Sequence, residues 1–175
     1  MRRVEDGVHL PRPEFCRGVM PERAETADFA RVDDRTTDYI WRAKTTFEFV
    51  QRMSTQLSGL LLLAATGARS AQGHPAFALL LEARDNLQED LAVLGPSAGA
   101  VHHHHHLRRA AEAVCAAVSH AEHSLHRGDA RMLDRATAAL RCANQELHWA
   151  AAALPGFAVV DLRQSCCAAH MRGKY

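Results

Sequence analysis

The nine residues "LHRGDARML", 125–133, decide the fold. A glycine just past an apolar-periodic run is a helix stop, and an aspartate just before the next run is a helix start. Here the two are adjacent, Gly128 and Asp129, with no residue to spare between them. Two helices joined so tightly must fold back on each other.

The pattern extends outward on both sides. Upstream, Leu107, Ala110, Ala111, Val114, Ala117, Val118, Ala121 and Leu125 recur at helical spacing. Downstream, Leu133, Ala136, Thr137, Leu140, Ala143, Leu147, Ala151 and Leu154 do the same, and Pro155-Gly156 closes the run. The same punctuation occurs earlier as Gly95-Pro96-Ser97, with Ser97 placed to cap the third helix. Before it lies a stripe of Phe77, Leu80, Leu81, Leu87, Leu91 and Leu94, opened by Pro75 in a first turn. The first long stripe is Ile40, Ala43, Phe47, Val50, Ser54, Leu57, Leu61 and Ala64, capped by Asp33 or Asp34 and stopped by Gly67.

Four such stripes, with "FAVVDL" the one β-like stretch, predict an all-α protein: an antiparallel up-down four-helix bundle. The helices are expected near 35–66, 75–94, 98–126 and 130–154. Residues 1–33, rich in Pro, Arg and acids, read as an irregular N-terminal arm with one short helix from Pro21 to Ala30. Residues 34–155 form the bundle. Residues 156–175 read as a C-terminal tail that starts apolar and straps onto it.

Composition narrows the function classes. The chain of 175 residues favours one domain with a real core. A net charge of +1 gives no field to draw nucleic acid or an anionic membrane. No apolar run approaches the roughly 20 residues of a membrane span. The opening "MRRVEDGVHLPRPEF" lacks the apolar segment of a secretory signal, so the expected location is the cytoplasm, with the five cysteines as thiols. Cys115 and Cys142 lie beside the apolar stripes and read as core or core edge.

No motif specifies a reaction. None of the glutamates has a histidine three residues later, which a ferritin-like di-metal site requires. Glu122 and His126, one turn apart, read as a surface pair. There is no phosphate loop, no G-x-S-x-G and no H-E-x-x-H. The sequence therefore reads as a non-enzymatic interaction or regulatory module. The unequal first and second helices, the arm and the apolar tail suggest a homodimer or a protein partner. A second alternative is an enzyme with a Cys/His site between the helices.

The first alternative is a transition-metal binder, and it rests on "VHHHHHLRRA", 101–110. At about 100° per residue, His103 points toward the core, while His102 and His106, one turn apart, flank it. His123 points away. Imidazoles at i and i+4 can chelate one ion, and a helix N-terminus disfavours their protonation. The second candidate is "SCCAAH", 165–170, with Cys166, Cys167 and His170. In an up-down bundle the arm with His9 and Cys16, the tract, His148 and the tail all fall at one pole. The proposed ligand set is His102, His103, His106, His148, Cys16, Cys166, Cys167 and His170. Thiolate with imidazole suits zinc first, then nickel or copper. The competing reading is a solvated polyhistidine run that holds metal only adventitiously.

Overall fold

The computed structural model describes residues 32–66 and 74–159. It contains α1 (Asp34–Ala65), α2 (Pro75–Val93), a single 3-10 turn (Ala98–Ala100), α3 (Val101–Arg127) and α4 (Ala130–Ala153). Helix accounts for 87% of the described residues, and no strand occurs among them. The fold is the expected all-α bundle, and α3 and α4 are its most closely packed pair.

The starts of α1, α2 and α4 each have a local cause. Asp33 caps α1, its Oδ1 accepting from the Thr36 amide at 2.7 Å. Pro75 opens α2 behind an unforeseen cap, His74, whose Nδ1 accepts from the Ala76 amide at 3.2 Å. Gly128 ends α3 with φ +66°, a left-handed conformation that side chains other than glycine adopt at a cost. Its N–H reaches the Ser124 carbonyl at 2.8 Å. Asp129 then caps α4 through the Arg131 amide at 2.9 Å, and Ser124 Oγ donates to the Asp129 carbonyl. The decisive stretch is thus fastened on both sides of the turn.

Ser97 behaves differently from expectation. Its hydroxyl caps nothing; it pairs with Thr36 Oγ1 at 2.7 Å and ties the α2–α3 connection to the start of α1. The approach is close. A Cβ on Gly99 would lie 2.9 Å from Thr36 Oγ1, so a larger residue there would push the turn off α1.

The core is divided by side-chain size. Helices α3 and α4 bury many alanines, including Ala110, Ala111, Ala117, Ala121, Ala136, Ala143 and Ala150, and small residues allow two backbones to approach. Helices α1 and α2 contribute the bulk: Tyr39, Phe47, Met53, Leu57, Leu60, Phe77, Leu80 and Leu87. The expected stripes hold at Leu57, Leu61, Leu80, Leu87, Val114, Val118, Leu140 and Leu147, all buried. Ile40, Leu81, Leu91 and Leu133 are only half-buried, and Tyr39, Met53 and Leu60 fill positions beside the expected stripe.

One pole gathers the ends of several elements. The start of α1 meets the 3-10 turn through Thr36 and Ser97, and meets α3 through Tyr39 and His103. The chain leaving α4 returns to the same place. Phe157 packs on Phe47 and His103, with ring centres 5.1 and 4.1 Å away. Gln51 Nε2 donates to the Ala158 carbonyl at 2.9 Å. The strap is therefore present at its beginning; 160–175 and the arm 1–31 lie outside the described residues. No helix among the described residues is long and apolar enough to cross a membrane.

Candidate functional site

The histidine tract is not a solvated run. It forms the first turns of α3, and helical geometry distributes its five rings among different surroundings. His103 is 0% exposed, as its angular position suggested. Its Nδ1 lies 2.8 Å from the Tyr39 hydroxyl, and its ring packs against Phe157 and, farther off, Phe47. Burial first, then the neighbouring His104 and His106, push its pKa down to about 3. Burial also raises the Tyr39 hydroxyl above the usual tyrosine range. Both groups are therefore neutral at pH 7. His103 Nε2 is buried without a partner among the described residues. The pairing that strands fewest polar atoms has the Tyr39 hydroxyl donating to Nδ1, which leaves one orphan, the Nε2–H.

His106 faces α4 and meets a different environment. Its Nδ1 lies 2.6 Å from Oε2 of Glu146, a glutamate only 2% exposed. The other carboxylate oxygen, Oε1, accepts from Arg109 Nε at 2.8 Å. Since a carboxylate oxygen accepts, Nδ1 carries the proton, and in the neutral ring Nε2 holds the lone pair. Burial lowers the His106 pKa; the hydrogen bond and charge of Glu146 oppose it, and His102 and His105 add to the lowering. Trp149 covers the ring at 5.4 Å. The rings of His102 and His105 stand 4.6 and 5.3 Å from that of His106. His104, half-buried, lies on the Tyr39 side at 6.1 Å, and burial lowers its pKa.

Of the proposed ligands, His102 and His106 are together on one edge of α3, with His103 turned into the core. His148 is half-buried on α4. It lies two residues past Glu146, about 200° round that helix, so on the other flank. Cys16, Cys166, Cys167 and His170, with His9, lie outside the described residues. Among the described residues no three His, Cys, Asp or Glu side chains converge as a metal site.

Sequence reasoning missed Tyr39, Arg109 and Glu146. Glu146 carried a usable signal. It stands three residues after Ala143 and four before Ala150, so a carboxylate occupies the apolar stripe and must find partners.

A second polar group joins α2 to α3. Arg84 donates from Nε to Asp85 at 3.0 Å and from Nη1 to Glu122 at 3.2 Å and Ser119 at 3.3 Å. Glu122 thus pairs with Arg84 across the helices, where His126 was expected; the guanidinium is always charged. Cys115 is buried and donates weakly to the Arg84 carbonyl at 3.9 Å. Burial pushes its thiol up to about 11, the reverse of what a nucleophile needs. Cys142 is half-buried at the core edge, and His123, expected in solvent, is half-buried too.

Compared with known proteins, the chain matches no family model, no curated protein and no solved structure. Its function rests on the geometry described above.

Proposed function

We propose that this chain is a non-enzymatic helical module that works by binding protein, with a second copy of itself as the first partner. The observation that carries the reading is Trp41, 71% exposed on the outer side of α1. Tryptophan and arginine dominate the energetics of protein interfaces. Trp41 is flanked on its helix by Asp38 and Arg42, both exposed. Opposite charges on either side of an apolar anchor suit a two-fold contact, where Asp38 of one copy meets Arg42 of the other. Val93 and Val101, also exposed, lie at the same pole as the start of α1. The buried histidines meanwhile serve the interior, joining α1, α3 and α4.

The reading places the protein in the cytoplasm, where a buried thiol such as Cys115 stays reduced. Its test is the solution mass of the untagged protein. Light scattering is expected to give twice 19.3 kDa for the wild type and a single 19.3 kDa for Trp41→Ala, with unchanged helical circular dichroism. A wild-type monomer at the highest attainable concentration would overturn the homodimer.

A further inference from the structure

The outer edge of the tract holds a feature that the interaction reading does not use. His102 and His106 are one helical turn apart, and their ring centres are 4.6 Å apart. Two imidazoles on one ion, with N–metal bonds near 2.0–2.1 Å, hold their ring centres about 4.6–5.3 Å apart between square and tetrahedral angles. Behind His106 stands the buried carboxylate of Glu146, fixed in turn by Arg109. Metal-ligating histidines almost always donate their other N–H to such a group, which sets the tautomer and strengthens the ligand.

We infer that His102 and His106 chelate a late first-row divalent cation through their Nε2 atoms, with Glu146 orienting His106 and water completing the coordination. His103 is excluded, since its ring is buried against Tyr39 and Phe157. His104 is excluded because it lies on the Tyr39 side of the helix. Imidazole ligands suit zinc, nickel and copper. The site therefore differs from a disordered polyhistidine tag: it uses two named rings and depends on a residue of another helix.

Zinc ion is the probe, added to the untagged full-length protein labelled with 15N-histidine. Long-range 1H–15N spectra report each ring nitrogen separately. Nε2 of His102 and His106 is expected to shift together and saturably, while Nδ1 of His106 stays protonated. Zinc bound at the tail would not move these two signals. His102→Ala is expected to weaken zinc at His106 at least tenfold, and His104→Ala to leave it unchanged. Glu146→Gln is expected to weaken it about ten- to a hundredfold, the usual effect of removing an orienting carboxylate. If that variant does not fold, the exposed His102 and half-buried His104 variants decide the matter. Equal loss in His102→Ala and His104→Ala would overturn the inference in favour of an unselective tract. So would metallation at His106 Nδ1, or no saturable shift at either ring.

Discussion

His103 and His106 stand three residues apart on one helix, yet the protein treats them as different chemical objects. His103 enters an apolar, aromatic layer made by α1 and the strap, where one hydroxyl is its only hydrogen-bond partner among the described residues. His106 enters an ionic layer between α3 and α4, where a carboxylate and a guanidinium satisfy each other and the ring. Identity in sequence does not carry over to identity in function, because a turn of helix places adjacent residues against different neighbours. On the α1 side the histidine is a shape that fills space; on the α4 side it belongs to a charge network. The two layers should respond differently to the same kind of perturbation.

The largest effect is expected from stranding the charge. Arg109→Met removes one of the two partners that Glu146 has among the described residues and leaves its carboxylate, 2% exposed, with His106. Removing one member of a buried ionic pair costs about 3–5 kcal/mol. Urea unfolding at pH 7 should show a loss of this size. The double variant Arg109→Met/Glu146→Leu should recover most of it, since no charge is then left unpaired. A loss below about 1 kcal/mol in the single variant would mean that water already reaches the carboxylate, and the contrast between the layers would fail.

Acid should attack the α1 layer. His103 stays neutral in the folded chain until about pH 3, whereas in the unfolded chain it takes a proton near 6.5. Its folded pKa is depressed, so the stability linked to it is complete above pH 6.5 and drains away as the pH falls from 6.5 toward 3. At about 1.4 kcal/mol per pH unit, wild type should lose about 2 kcal/mol between pH 7 and pH 5 through this group. His103→Leu lacks that proton site. The measured fall between those two pH values should therefore be smaller by about 2 kcal/mol in the variant. His104, His106 and His120, whose pKa values are also lowered, remain in both proteins and cancel in the comparison. Parallel pH profiles would show that His103 is hydrated in solution.

The degree to which this was legible in the sequence follows from range. Gly128-Asp129 specifies a turn by backbone conformation and one side-chain hydrogen bond, both local, and the turn formed as read. The helix limits at Pro75 and Asp33 are local for the same reason. The burial of His103 was readable too, because its angle from the apolar stripe of α3 depends only on helical periodicity. Ser97 was misread because its hydroxyl had two candidate uses, and the winner, Thr36, is 61 residues away. Glu146 was overlooked as one charge in an alanine-rich run, although the stripe it occupies made it conspicuous. Its partner His106 could not be named from one sequence, since the register of α3 against α4 is set by how the alanines pack. The ligand set drawn across the arm and tail depended on distances that topology suggests and no local rule fixes.

A smaller effect separates hydrogen bonding from packing within the α1 layer. Tyr39→Phe deletes the hydroxyl and leaves both nitrogens of His103 buried without partners among the described residues, given that Nε2 already has none there. Orphaning one such group costs about 1–3 kcal/mol, whereas replacing both partners by apolar groups of similar shape is nearly neutral. Thermal and urea unfolding of Tyr39→Phe should show that loss. Tyr39→Phe/His103→Leu should lie within about 1 kcal/mol of wild type. A double variant as unstable as the single one would mean that the ring of His103, stacked 4.1 Å from Phe157, contributes packing that leucine cannot replace.

The least effect is expected where the tract meets solvent. His105 lies between the two layers in sequence and belongs to neither: it is exposed, and its one ring contact among the described residues is with His106, at 5.3 Å. An exposed substitution away from caps and buried networks changes stability by less than about 0.5 kcal/mol. His105→Ala also gains helix propensity, alanine being the best helix former. It removes one neighbour whose charge lowers the His106 pKa. The variant should therefore be as stable as wild type at pH 7, with the His106 pKa moved slightly upward in an NMR titration. A loss above about 1 kcal/mol would place His105 in a contact with the arm or the tail. In that case the tract would carry three environments where α3 and its neighbours account for two.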